Sequence, residues 1–553
     1  MRNKLTTNLI VKTVSVITLL FVFNSQKVFS EVTVHPAPGD LSTVEHLTQS
    51  ADYTVKVNGQ TSFVYETDNN CYEVPGKRYQ DVVAFTSFDF KNEKVTVEVS
   101  CNFTVNSVVI KPKSDNVAFT RTGNKITFEL SEPKYLKVQI NDGKRPLYIF
   151  ADSSEVAETN AKYYYGPGVH DVGTRFPIDA NSTVYIAGGA VVEGTLLLKG
   201  PNIKIRGRGI LSSGYLEWSA WNAGARNIAM LYDDPSYTGN FNYHEYSGIV
   251  MLNSPGWFSN GYGKFRSLLN LKAIGWVRNS DFPHLNGNGI ARNCFMFNND
   301  DGLITNTGNN NTYQNCVVDK GPFGRSIVSL NNQSQEYNLW EDVDVIGDEM
   351  INGKFGSIAI IESTGGYKRN YIFRNIRIED GVSPTQPFAY IYADNLDVNN
   401  FTFENIIIET TRNKASSITT LNGGTVTGVT FKCIKIAGDY KTSLTDAKVS
   451  QSGSGITNIT YDNTANCGAT ALNEISTKNG SVLFPNPATN KVSIKLPEHK
   501  ISNVSIFDSR GKLILNHSGD EFITSNFTSG LYLVRIKTQD KFFTEKLMVQ
   551  NLN

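Results

Sequence analysis

A short phrase recurs along the middle of the chain and constrains the fold more than any other feature. An apolar or aromatic residue is followed by a spacer, then Asn or Asp, then an apolar run. It reads Ile290–Cys294 (IARNC), Tyr313–Cys316 (YQNC), Trp340–Val343 (WEDV), Phe373–Ile376 (FRNI), Phe403–Ile406 (FENI) and Phe431–Ile434 (FKCI). The marked positions Asn293, Asn315, Asp342, Asn375, Asn405 and Cys433 are 22, 27, 33, 30 and 28 residues apart. Repeats of this length, with short strands and no helical period, imply a solenoid of stacked coils. The predicted fold is all-β, a parallel β-helix in which like residues stack as internal ladders. Asn293, Asn315, Asn375 and Asn405 are expected at turns, bonding backbone groups between coils. Cys294 and Cys316 share a ladder site and are expected as stacked buried thiols rather than a bridge. A propeller needs about four strands per repeat, and these intervals are too short and uneven for it.

The solenoid reading covers residues 155–471. Before it, residues 31–154 carry alternating runs: Tyr53–Val57, Lys94–Val99, Ser107–Ile110, Lys125–Leu130 and Tyr135–Ile140. Period-two runs between polar turns predict an N-terminal antiparallel β-sandwich. Residues 1–30 read as a secretory signal: Arg2, Lys4 and Lys12 are basic, Val14–Phe23 is apolar but too short to span a bilayer, and cleavage is placed after Ser30. No later segment approaches a spanning length. Export permits disulfides, and Cys71 with Cys101 and Cys433 with Cys467 are candidate pairs, with connectivity open. After a linker at 472–478, residues 479–553 alternate again and predict a small C-terminal β-sandwich. Phe484–Pro487 (FPNP), Gly530–Val534 (GLYLV) and Lys546–Val549 (KLMV) resemble the sorting domain of the type IX secretion system. That resemblance implies the type IX machinery as a partner and an extracellular or surface-attached destination. Lys+Arg and Asp+Glu both number 52, so no basic excess points to a nucleic-acid partner.

The chemistry concentrates between Trp276 and Ser329. Asn279–Asp281, Asn298–Gly302 and Gly321–Arg325 follow one another there. Asp281 and Asp300 are 19 residues apart, close to one short coil, and a coil rises by about 4.8 Å. Asp281, Asp300 and Asp301 are therefore expected in one groove. Glycosidic hydrolysis needs such a cluster: one carboxylic acid protonates the leaving oxygen, and another carboxylate activates water or attacks the sugar. Crowding keeps one proton on the cluster near neutrality. Strand neighbours face opposite sides, so Asp300 and Asp301 can both serve only if the strand ends or bends there, as Gly302 would permit. The competing readings of Asp-Asp-Gly are an ordinary turn or a calcium site; no regular ligand spacing favours a metal, and no cofactor is expected. His284, Lys320 and Arg325 are candidates for holding a sugar hydroxyl or an anionic sugar. Trp257, Trp276, Phe323 and Tyr262 are candidate stacking surfaces. A polar insertion over 215–247, with Trp218, Trp221, Tyr232, Tyr237 and Tyr243, is expected to wall the groove.

Residues from Val82 to Glu409 also resemble glycoside hydrolase family 49, the dextranase and isopullulanase family. The resemblance rests on Arg145–Ala151 (RPLYIFA), Tyr165–Val169 (YGPGV), Val184–Gly194 (VYIAGGAVVEG), Gly207–Ser212 (GRGILS), Ser280–Asp281 and Asn299–Gly302 (NDDG). It implies a β-sandwich followed by a right-handed β-helix, Asp300 as general acid, Asp281 and Asp301 jointly holding the water, and inversion at the anomeric carbon. Spacing alone allows either stereochemical course. Phe282 stands where the family usually has glycine, and the Gly321–Arg325 coil differs too. The related polygalacturonase-like family 28 carries Gly-His-Gly and Arg-Ile-Lys signatures, which are absent here. The reading is thus a secreted, monomeric hydrolase of a polysaccharide, dextran-like by resemblance. The alternatives are a pectic or sulfated algal substrate, a lyase using Lys320 or Arg325 as base, or a non-catalytic glycan-binding β-helix.

Overall fold

Apart from one three-residue 3-10 turn at Lys113–Asp115, the described regular elements are all strands. The computed structural model describes residues 31–464, Cys467 and 483–549, except 69–81, 92–93, 217–228, 262, 322, 331–333, 349–355, 363–364, 380–386, 487, 497–499, 508–512, 529 and 539–541. The signal segment, Cys71, Trp218, Trp221, Tyr262 and the linker lie outside the described residues. Among the described residues no helix is long and apolar enough to cross a membrane.

The N-terminal runs form two sheets, of seven and five strands. Tyr53–Val57 alternates buried and exposed along its length, as a strand with one wet face must. The apolar faces of both sheets close over one core of Val55, Phe88, Val97, Phe128, Leu136 and Ile149. The pairing is antiparallel with one exception: Leu147–Ser153 runs parallel to Val82–Lys91. Cys101 is a free, buried thiol rather than half of a bridge. It ends the strand Val95–Cys101 inside this core, and burial pushes its thiol up to about 11.

From Tyr163 to Asp462 the strands pair in parallel with their counterparts one coil later, apart from the short antiparallel pair Lys435–Ile436 and Asp439–Tyr440, which makes a right-handed parallel β-helix. A coil has three main faces. Around the middle of the solenoid the first face holds Ser267–Leu269 and Ile290–Arg292, the second Lys272–Ile274 and Phe295–Asn298, the third Phe282–Leu285, Gly302–Thr305 and Ile327–Ser329. Thr312–Lys320 bends to serve the first two faces at once.

The repeated phrase marks the corner between the first two faces. Asn270, Asn293, Asn315, Asp342, Asn375, Asn405 and Cys433 all turn the chain with φ between 52 and 54°, a region that Asn tolerates better than most side chains. The bonds run from amide to side chain rather than to backbone: Asn293 Nδ2 donates to Asn270 Oδ1 at 3.1 Å, Asn315 to Asn293 at 2.7 Å, and Asn405 to Asn375 at 2.9 Å. Identical side chains one rung apart meet each other before they reach a main-chain group. Two residues earlier, Tyr313, Trp340, Phe373, Phe403 and Phe431 stack inside the coil with centroids 5.4, 4.9, 4.7 and 4.8 Å apart. Ala291, not Ile290, pairs with Tyr313 in that ladder. Cys294 and Cys316 are free and buried, whereas Cys433 bonds Cys467.

The sandwich is docked on the second face. Tyr148 and Phe150 pack on Phe295 and Phe297, and Lys137 and the Tyr148 hydroxyl both reach Asp319 at 2.7 Å. Buried Lys272 meets Asp152 at 2.7 Å. This packing holds Phe295–Asn298, the strand that leads into Asp300. The C-terminal region forms sheets of three and four strands around Val492, Ile506, Phe522, Val534 and Leu547.

Candidate active site

The three aspartates meet at the corner between the second and third faces. In the coil of Asp281 that turn spans 275–281; in the next coil it spans only 299–301; in the one after it spans 321–326. The short turn therefore lies between two longer ones, and its carboxylates sit in a notch. Asp300 and Asp301 are both off the strands, since Phe295–Asn298 has ended and Gly302–Thr305 has not begun. Strand alternation does not separate them. Gly302 is needed for room, not for a bend, because a Cβ there would lie 2.8 Å from the Ser326 carbonyl. The positive φ falls on Leu303, at 38°.

Register corrects the 19-residue spacing. Phe282 pairs with Gly302, so the rung mate of Asp281 is Asp301. Asp300 lies beside Ser280, whose Oγ accepts the Asn299 N–H at 2.9 Å.

Each carboxylate is held differently. Asp300 is the most accessible of the three, and its Oδ2 accepts the Asn279 N–H at 2.9 Å. Asn298 Nδ2 donates to the carbonyls of Asp300 and Asp301 at 2.9 and 2.8 Å, locking the turn from below. Asp301 is only 4 % exposed. Arg325 Nη1 donates to both of its oxygens at 3.1 and 3.0 Å, and the Arg325 N–H adds a third bond at 2.8 Å. Asp281 is buried beside the Trp257 indole, with His284 Nε2 at 3.9 Å. Lys320 is buried too, with Nζ donating to the Gly321 carbonyl at 3.2 Å.

Burial pushes the Asp281 carboxyl well above the usual range, and the charges of Asp300 and Asp301 push it further. Asp300 is raised by burial and by Asp301, against the pull of Lys320, the Asn279 N–H and Arg325. Three carboxylates face two cations, so the cluster balances when it keeps one proton. His284 is pushed down to about 4, chiefly by burial, with Arg266 adding to it. It is neutral at working pH, with Nδ1 against the Ser259 carbonyl at 3.3 Å. Among the described residues no group of three or more His, Cys, Asp or Glu is arranged to hold a metal ion.

The other candidates separate. Trp257 and His284 join the cluster, ring edge to ring face with centroids 5.7 Å apart. Phe323 is half-buried on the far turn, beneath the exposed Arg278 guanidinium at 5.5 Å. Arg325 pairs with Asp301, and buried Lys320 acts on Asp281 and Asp300 by its charge while its Nζ donates to the Gly321 carbonyl. Trp276 offers no sugar-stacking face: it is fully buried, edge-on to Phe297 at 5.0 Å. Its role is structural, its carbonyl accepting Asn299 Nδ2 at 2.7 Å. Of the insertion, residues 217–228 lie outside the described residues. Tyr232 is buried on the third face, while Tyr237 and Tyr243 precede the first-face strand Glu245–Ser247, at the corner where the third face ends. Asn279, Asn298, Gly324 and Arg278 escaped sequence reasoning. Their contribution is a backbone donor, an amide under a turn, a missing Cβ and a cross-coil contact, none of which leaves a motif.

The profile of the secretion system C-terminal sorting domain matches residues 482–550. The C-terminal region is a sorting domain. It makes the chain a substrate of type IX secretion, bound for the cell surface or beyond. No curated protein matches the sequence. Among solved structures the chain is similar to endopolygalacturonase I from Stereum purpureum, at 14% identity over 56% of this chain and 98% of that one, with a TM-score of 0.25. It is similar to an exopolygalacturonase from Thermotoga maritima at 12% identity over 54% and 84%, TM-score 0.26. It is also similar to the catalytic domain of a GH87 α-1,3-glucanase in complex with nigerose, at 9% identity over 75% and 85%, TM-score 0.25. At such distances these likenesses say nothing about chemistry, which rests on the site itself.

Proposed function

We propose that the chain is an extracellular glycoside hydrolase that cleaves a polysaccharide, with Asp300 as its general acid. The observation that carries this reading is the set of three carboxylates on one notch, two of them raised by burial and by neighbouring carboxylate charge, beside the cations Arg325 and Lys320. Asp300 is the accessible member, and burial and Asp301 raise its affinity for a proton, so we assign it the role of passing the cluster's proton to the leaving oxygen. Asp301, held by Arg325, and Asp281, buried beside Trp257, flank the position from which a water would attack. Inversion is the course we assign, by resemblance to family 49. A neutral, dextran-like α-glucan fits best, because Arg325 is spent on Asp301 and Lys320 is buried against the Gly321 carbonyl, so neither is offered to a sugar carboxylate. One observation favours an acidic glycan instead: Arg278 stands exposed on the rim beside Phe323.

The test is reducing-sugar release by the full-length secreted protein from dextran, pullulan, polygalacturonate and carrageenans, with Asp300→Asn alongside. Release from dextran or pullulan that falls by about 10²–10⁴ in the variant supports the reading. Release only from an acidic polymer moves the substrate to the second reading and keeps the chemistry. Unsaturated products would mean a lyase. No release from any polymer would leave the aspartates as a structural turn.

A further inference from the structure

The corner between the third and first faces is built for asparagine. Asn202, Asn288, Asn310, Asn370 and Asn400 turn the chain there with φ of 56, 52, 59, 57 and 57°. Their side chains bond along the column: Asn310 Nδ2 donates to Asn288 Oδ1 at 3.0 Å, and Asn400 to Asn370 at 2.7 Å. Three rungs of the same column break the pattern with aromatic residues. Tyr243, Phe265 and Tyr337 take φ of 67, 58 and 60°. A bulky side chain is disfavoured in that region. The backbone places them in the column unambiguously, since Asn202 N–H bonds the Asn242 carbonyl, Tyr243 N–H the Lys264 carbonyl and Phe265 N–H the Gly287 carbonyl at 3.0, 3.0 and 2.9 Å.

Nor are the rings hidden. Tyr243 is 55 % exposed and Tyr337 39 %. Tyr243 and half-buried Phe265 stack with centroids 4.9 Å apart and planes 14° apart, and in the stretch just before them exposed Tyr237 stands edge-on to Phe241 at 5.1 Å. Strained and exposed aromatics at a position better suited to asparagine contribute little to the fold, so their use lies outside it. We infer that this aromatic corner is a second glycan-binding site, separate from the carboxylate notch, that holds the pyranose rings of the polymer the notch cleaves. The inference rests on the hydrolase reading for the identity of that polymer.

The chemistry matches a sugar better than a protein partner. A pyranose packs its C–H face on an aromatic ring while its hydroxyls need amide partners around the ring. The corner supplies both, because asparagine rungs flank the aromatic ones: Asn202 precedes Tyr243, and Asn288 and Asn310 lie between Phe265 and Tyr337. A protein interface would need a continuous patch of about 800 Å² per partner, and this column is interrupted by amides and by exposed Lys264. From Tyr243 to Tyr337 the column climbs four rungs, about 19 Å at the strand spacing, enough for several sugar residues laid along the axis. It lies across the third face from the notch, so a long chain can be held while another stretch is cut.

Affinity electrophoresis of the full-length protein tests this in gels containing dextran, pullulan or polygalacturonate. Asp300→Asn serves as parent so that the polymer stays intact, and Tyr243→Asn with Phe265→Asn removes the rings. The parent should be retarded by at least one polymer. The double variant should bind that polymer at least fivefold more weakly, melt no lower than the parent, and, on the wild-type background, turn over short oligosaccharides as before. Equal retardation of parent and variant, or no retardation of the parent in any gel, overturns the inference. Turnover with ring-independent retardation sinks the corner and spares the hydrolase; ring-dependent retardation without any turnover does the reverse.

Discussion

Gly324 lies against the turn that carries Asp300 and Asp301, and a single methyl group there should disable the proposed site. Its φ is 65°, and an added Cβ would lie 2.4 Å from the Asp301 nitrogen and 2.5 Å from Asp300 Oδ1. Ordinary contact needs about 3.5 Å, so Gly324→Ala must open roughly 1 Å of space. The turn has little freedom to give it, because Asn279 holds the Asp300 carboxyl and Asn298 holds both carbonyls. Displacing a reacting group by that much costs about 10²-fold in rate. The unfavourable φ adds about 1–2 kcal/mol of lost stability. Measured side by side, kcat should fall about 100-fold with KM little changed, and the melting temperature should drop modestly. If kcat stays within about threefold of wild type while the protein still melts lower, Asp300 is not held where the reaction needs it, and the positional reasoning is wrong.

Other outcomes follow from the same contacts. Arg325→Gln leaves Asp301 buried without its cation, which should cost about 3 kcal/mol of unfolding free energy by chemical denaturation. Asn293→Ala breaks two rungs of the corner ladder and puts alanine at φ 52°, so a loss of about 3 kcal/mol is expected; Asn293→Gly should recover the backbone part. His244 is buried in the solenoid and pushed down to about 3, by burial first and then by Arg266. The folded state resists its proton while the unfolded chain takes it near pH 6.5, so stability is lost as pH falls below about 6.5, by about 3 kcal/mol at pH 4. His244→Gln should flatten that slope in pH-dependent denaturation, and an unchanged slope would show that other groups cause it.

Much of the architecture was legible because a solenoid repeats its instructions. Each coil must place an apolar or aromatic residue inside and a turn-forming residue two positions later, so Phe373 with Asn375 and Phe403 with Asn405 announce both the fold and one corner of it. The carboxylate triad was legible for the same reason: a coil of about 20 residues returns a side chain to its starting corner. Cys101 was misjudged because pairing depends on where a thiol points, and this one points into the sandwich core. The asparagine corner at Asn288 and Asn310 went unread, since aromatic residues interrupt it at Tyr243, Phe265 and Tyr337.

Composition and spacing alone determined that the chain is a β-helix between two β-sandwiches and that Asp281, Asp300 and Asp301 come together. Local periodicity controls those features, and it is written residue by residue. Only the tertiary structure decided the rest. It set Asp301 rather than Asp300 beside Asp281, bound Arg325 to Asp301, buried Lys320 near the cluster, buried Trp276, and set Gly324 over the turn. Those outcomes depend on register and on side chains from neighbouring coils, and a one-residue shift between rungs, invisible in the spacing, changes which groups touch.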